Sequence, residues 1–171
     1  GVQYAPEVYD GIINYELFLR YYNQALRYSG FPFAYHTIGS SMAVRSSVYQ
    51  KQGGMNKRKA GEDFYFLQKV IPLGNFSEIN STRVIPSPRP SDRVPFGTGS
   101  AIVKWIDSSR EDFFTYHPKI FSDLKIFLEK VPEMYLQQDY LKVIDQLPDS
   151  IKKFLVESSF EQKWKEIKGN S

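Results

Sequence analysis

Two adjacent carboxylates, Glu62 and Asp63, are the residues whose setting could carry chemistry in this chain. They follow Gly61 and open an apolar run at helical spacing: Phe64, Leu67, Val70 and Ile71. A carboxylate at the head of a helix has two uses. It can satisfy N–H groups that the first turn leaves without partners and offset the positive end of the macrodipole. Or it can face a cleft as a general base and draw a proton from a hydroxyl. The stretch by itself supports both readings equally, so the neighbouring segments have to decide.

Other chemistries are poorly supplied. The chain has no Cys, which excludes disulfides, thiolate metal sites and cysteine nucleophiles. Its two histidines, His36 and His117, are far apart and lack the spacing of a zinc site, so each reads as a structural hydrogen-bonding residue. No Gly-x-Ser-x-Gly elbow, phosphate-binding loop or dinucleotide fingerprint occurs, and Gly97-Thr98-Gly99 alone signals nothing. The basic run Lys57-Arg58-Lys59 reads as a solvated loop in preference to a phosphate contact. The loop over residues 86–99 has four prolines, which stiffen it, and carries Arg89 and Arg93. Those guanidinium groups either serve a ligand or pair with local carboxylates.

The elements that position these residues follow from periodicity and breakers. Ile12, Ile13, Leu17, Leu19, Tyr22, Ala25 and Leu26 predict a helix over residues 10–29, ended by Gly30. Tyr15, Tyr21, Tyr22 and Tyr28 on it read as packing residues with hydroxyls at the rim. Residues 34–45 read as one or two short strands, with Gly39, Ser40 and Ser41 small enough to let something approach the backbone. A short helix over 46–51 ends at Gly53-Gly54, and the central helix runs from Glu62 to the Pro72-Leu73-Gly74 stop. Residues 76–86 read as a strand pairing with the earlier one. Helices are predicted over 101–106, 118–131, 140–147 and 151–167. The fold class expected is α+β: a small mixed or antiparallel sheet packed by helices, over residues 1–99, followed by a helical region over 100–171.

Composition bounds the rest. A chain of 171 residues, 42% hydrophobic and 24% charged, is globular and long enough for a real core. A net charge of +3 is too small to argue for nucleic acid. The 13 Phe and 12 Tyr suit either a dense core or a surface that stacks on flat or sugar-like ligands. No apolar stretch approaches the roughly 18 residues of a membrane span, and no signal peptide is expected. A start at Gly1 fits a piece of a longer chain.

The three segments Gly39-Ser40-Ser41-Met42-Ala43-Val44-Arg45, Gly53-Gly54-Met55 and Ala60-Gly61-Glu62-Asp63-Phe64 together resemble the second half of family 2 glycosyltransferases, inverting enzymes of the GT-A type. The resemblance spans about residues 34–75, and the Pro/Arg loop is similar to a bacterial subgroup that makes polysaccharides. It implies a partial GT-A fold lacking the nucleotide-binding half. It makes Asp63 the base that deprotonates an acceptor hydroxyl. Glu62, Gly39, Ser40, Ser41, Arg45, Arg89 and Arg93 become substrate-binding residues. The partners implied are a glycan acceptor and a nucleotide-sugar, in the cytoplasm or peripheral to the inner face of the membrane. The complete enzymes hold Mg²⁺ or Mn²⁺ through an Asp-x-Asp motif. No such motif occurs here, so no metal is expected in this piece and no turnover from it alone. On the resemblance, Asp63→Asn should abolish transfer while leaving folding nearly intact. The competing reading is a non-catalytic α+β interaction module in which Glu62-Asp63 only cap a helix.

Overall fold

A computed structural model describes residues 4–57, 61–85, 87–91, 97–108, 114–137 and 139–169, Ser40 by its backbone alone. These residues form eight α-helices: α1 (Pro6–Tyr28), α2 (Ser46–Lys51), α3 (Glu62–Val70), α4 (Thr98–Asp107), α5 (Pro118–Leu136), α6 (Leu141–Ile144), α7 (Asp149–Glu157) and α8 (Phe160–Gly169). Two 3-10 turns, Gly39–Ser41 and Ile71–Leu73, complete the regular structure.

The expected sheet is absent: no strand occurs among the described residues, so the α+β assignment, and the partial GT-A sheet with it, is corrected to a helical architecture. Extended backbone occurs at single positions without a partner strand. Ile38 and Met42 do hold extended dihedrals, (−104°, 101°) and (−124°, 152°). Between them the chain turns, with the Ser41 N–H donating to the Ile38 carbonyl at 2.9 Å. The Gly39 N–H, which a ladder would need, goes to a side chain instead. The second expected strand has no face to bury: Ile79 is 71% and Ile85 83% exposed. A pair of strands without a third strand or an apolar face is at best marginally stable.

Two compact units are present, Gly1–Arg20 with Tyr35–Phe114, and Tyr21–Ala34 with Thr115–Ser171. Residues 100–108 therefore go with the first unit and residues 21–34 with the second.

In the first unit the start of α1 meets α4 at Gly11. A Cβ on Gly11 would lie 2.8 Å from Trp105 Cδ1 and 3.1 Å from Ile102 Cδ1, so the glycine is what lets α1 approach the indole. Ile102 is fully buried there, with Val8 also buried in this unit. Gly11→Val adds three carbons at this contact without alanine's helix propensity, and is expected to cost about 2–3 kcal/mol as overpacking. Gly11→Ala recovers up to about 1 kcal/mol of propensity and should lose less. Denaturant melts check the order. A valine variant as stable as the parent would show that this contact is not tight.

The second unit takes the end of α1 and the four helices α5–α8. Gly30 sits at φ 75°, its N–H bonding the Arg27 carbonyl and the Phe31 N–H the Leu26 carbonyl, both 3.0 Å. That is a Schellman ending, and it explains why α1 stops where Gly30 appears. Tyr21, Tyr22 and Tyr116 pack edge-on around buried Phe121, and the Tyr21 hydroxyl donates to the Tyr116 carbonyl at 2.7 Å. α5 begins at Pro118 behind His117, whose Nδ1 accepts the Lys119 N–H at 3.2 Å. Proline at the first helical position removes a donor that would have no partner there. The expected single helix over 151–167 is two: Ser159 adopts φ 53° and breaks it, and the Lys163 ammonium donates to the Ser158 carbonyl at 2.8 Å. Met134, Val143 and Trp164 form one buried cluster, and Leu147, Ile151 and Leu155 another. Phe127, Ile144 and Phe160 pack against both.

A buried carboxylate fastens this unit. Asp123 accepts from the Lys119 ammonium at 2.8 and 3.1 Å and from the Ser150 hydroxyl at 2.6 Å, linking α5 to the start of α7. The Lys119 and Ser150 hydrogen bonds hold its pKa below the ordinary carboxylate value, with burial opposing them. A depressed folded pKa contributes stability that is present above the unfolded value, near 4, and is lost as pH falls through the folded one. Asp123→Asn is therefore expected to flatten the acid limb of the stability profile below about pH 4. Urea midpoints between about pH 2 and 6 measure it, and an unchanged limb would remove Asp123 from this role.

Candidate functional site

α3 begins behind Gly61, which holds φ 77°, a left-handed conformation that strains any residue with a side chain. A glycine at the cap brings no side-chain oxygen, so the first turn must find acceptors elsewhere. Asp63 supplies one: its Oδ1 accepts the Phe64 N–H at 2.8 Å. Its Oδ2 accepts the Gly39 N–H at 2.9 Å, from a turn 24 residues earlier in the chain. Both oxygens of the carboxylate are thus engaged by backbone donors. Each oxygen has two lone pairs, so one on each remains for another donor.

The Gly-Gly turn is tied to the same helix. Gly53 and Gly54 hold φ 71° and 69°, and the Gly54 N–H returns to the Tyr49 carbonyl at 2.8 Å, closing α2. The Tyr49 ring lies against Gly54, where a Cβ would stand 3.0 Å from ring carbons. It also packs on Phe66 of α3 at 5.4 Å between centroids. The turn at Gly39 is thus joined to the start of α3 by a hydrogen bond, and the Gly-Gly turn to the middle of the same helix through the Tyr49–Phe66 contact.

The other expected site residues are placed as follows. Ser41 closes the 3-10 turn and is exposed, and the Ser40 backbone lies in the same turn. Glu62 is the first residue of α3. Arg45 precedes α2, where its carbonyl accepts the Val48 and Tyr49 N–H groups at 3.0 Å. Arg89 is exposed on a segment fastened on both sides: Ser87 Oγ lies 3.0 Å from the Tyr4 hydroxyl, and the Ser91 N–H donates to the Gly99 carbonyl at 3.3 Å. Arg93, like Arg58 and Lys59, lies outside the described residues. Among the described residues no hydrogen bond or ion pair joins Arg45 or Arg89 to either carboxylate.

The partner of Gly39 was the feature that sequence reasoning missed. Small residues at 39–41 suggest space for a ligand, but at Gly39 the space holds the Asp63 carboxylate.

No family model, curated protein or solved structure matches the chain. Among the described residues no group of three or more His, Cys, Asp or Glu is placed to hold a metal ion. No helix of the described residues is long and apolar enough to cross a membrane.

Proposed function

We propose that this chain is the acceptor-side part of an inverting glycosyltransferase, with Asp63 as the general base. One observation carries the reading. The segments that resemble the family's motifs, separated in sequence, are connected through α3: the Asp63 carboxylate of its first turn is held against the Gly39 backbone, and Tyr49, whose ring lies against Gly54, packs on Phe66. In the reaction, a lone pair of Asp63 takes the proton of an acceptor hydroxyl. The oxygen then forms its bond to the anomeric carbon as the bond to the donor phosphate breaks, and that electron pair leaves with the nucleoside diphosphate. A positioned base is what this step requires of the protein at the acceptor, because a hydroxyl is a weak nucleophile until its proton is taken. Glu62, beside the base, contacts the acceptor, and Arg45, Arg89 and Arg93 serve the substrates. The donor site and its cation belong to another part of the enzyme, which acts on cytoplasmic nucleotide-sugar, and the isolated chain does not transfer sugar.

A second reading has an observation of its own. Because both Asp63 oxygens accept backbone N–H groups, the residue serves equally well as the clasp of a non-catalytic helical interaction module. Release of nucleoside diphosphate from a panel of nucleotide-sugars, measured on the natural full-length chain with and without acceptor glycans, separates the two. Acceptor-dependent release supports the enzyme. Its absence across the panel, or transfer by residues 1–171 alone, overturns the proposal.

A further inference from the structure

We infer that Gly39 is a positioning residue for the Asp63 carboxylate, an inference that rests on Asp63 being the base. A carboxylate on a short side chain can still rotate about two bonds. Here it is pinned at both ends, Oδ1 by the Phe64 N–H and Oδ2 by the Gly39 N–H, so its plane and the direction of its remaining lone pairs are fixed.

The glycine at 39 is accounted for by space and not by backbone. It is not among the glycines with positive φ. A Cβ built on it would stand 2.9 Å from Asp63 Oδ2, 3.2 Å from Asp63 Cβ and 3.4 Å from Asp63 Cγ. The first distance is closer than real Cβ contacts come, and the other two leave the short side chain little room to swing aside. A methyl group at position 39 therefore pushes the carboxylate a few tenths of an ångström away from the N–H that aims it.

A displacement on the order of 1 Å at a reacting group can lower a rate by about 10²-fold, so a shift of a few tenths of an ångström lowers it less. Gly39→Ala in the natural chain is thus expected to reduce kcat by roughly 3- to 10-fold, with the KM for donor and the melting temperature close to the parent. Asp63→Ala is measured beside it, on UDP-glucose, UDP-N-acetylglucosamine and GDP-mannose as donors. If Asp63→Ala is inactive and Gly39→Ala turns over like the parent, the positioning role is overturned and the base assignment stands. If Asp63→Ala stays active, or the parent uses none of these donors, the base assignment falls and the positioning role with it. Should Gly39→Ala not fold, the amide of Gly39 still reports: in Asp63→Ala its proton resonance moves upfield as the carboxylate partner is lost. An unmoved resonance overturns the inference.

Discussion

Trp164→Ala is expected to remove about 3–5 kcal/mol of stability and to lower the melting temperature of the second unit by more than about 10 °C. The indole is buried at the centre of three aromatic contacts. It stacks on Phe160 at 5.3 Å, meets Tyr140 at 5.9 Å and Tyr135 edge-on at 6.3 Å, and shares a cluster with Met134 and Val143. Phe160 itself meets Phe127 of α5 at 6.1 Å, so deleting Trp164 opens a void between α8, α5 and α6 that rigid helices fill poorly. Trp164→Phe is the informative control. The Trp164 Nε1 has no hydrogen-bond partner among the described residues. Phenylalanine keeps most of the stacking and removes a buried donor without an acceptor, which is itself unfavourable by about 1–3 kcal/mol. The phenylalanine variant should therefore lose far less than alanine. Thermal melts followed by helical circular dichroism read both, and an alanine variant within about 1 kcal/mol of the parent would show that this cluster is not the core.

With Asp63 as the proposed base, Asp63→Asn in the natural chain is expected to lower sugar transfer by about 10²–10⁴-fold. The amide keeps the shape of the carboxylate but cannot accept a proton. The structure changes the other half of the expectation, that folding is untouched. Asparagine has one acceptor oxygen where two N–H donors must be met, so its NH₂ faces either Gly39 or Phe64. A loss of about 1 kcal/mol accompanies the loss of rate. Rate and stability then fall together, and a third measurement has to separate base from clasp. Asp63→Ala leaves space beside the acceptor, and added formate can take the proton that the carboxylate would have taken. Formate recovering transfer marks a missing base, since an external carboxylate does not repair a frayed helix start. A transfer rate within a few-fold of the parent in the asparagine variant makes Asp63 a clasp only.

The helices of this chain were legible because their signals are local. Gly30, Gly53-Gly54, Gly74, Pro118 and Pro148 punctuate the sequence, and each lies at or beside the end of an element in the structure. The break at Ser158-Ser159 was not legible. Two serines between Leu155 and Trp164 do not interrupt the apolar spacing, and only the left-handed turn at Ser159 reveals the stop. The strands failed for a different reason. Residues 34–45 and 76–86 have β-favouring composition, but a strand exists only through its partner, and partners are not written in the segment itself. The site was half legible. A carboxylate at the head of α3 could be read from Gly61-Glu62-Asp63, whereas its bond to Gly39 spans 24 positions and depends on how the chain returns.

The build of the second unit from two distant segments sets an order of events in folding. Helices α5 to α8 are consecutive in the chain, and their contacts close short loops, which is the topology that folds fastest. The bond from the Tyr21 hydroxyl to the Tyr116 carbonyl instead spans 95 positions. Closing so long a loop carries an entropic penalty that no local contact has yet offset. The α5–α8 core is therefore expected to form first and the end of α1 to dock on it afterwards, which predicts low φ-values for mutations at Tyr21 and Tyr22 and higher ones at Leu147 and Ile151. Native-state hydrogen exchange should then find the end of α1 opening before the α5–α8 core.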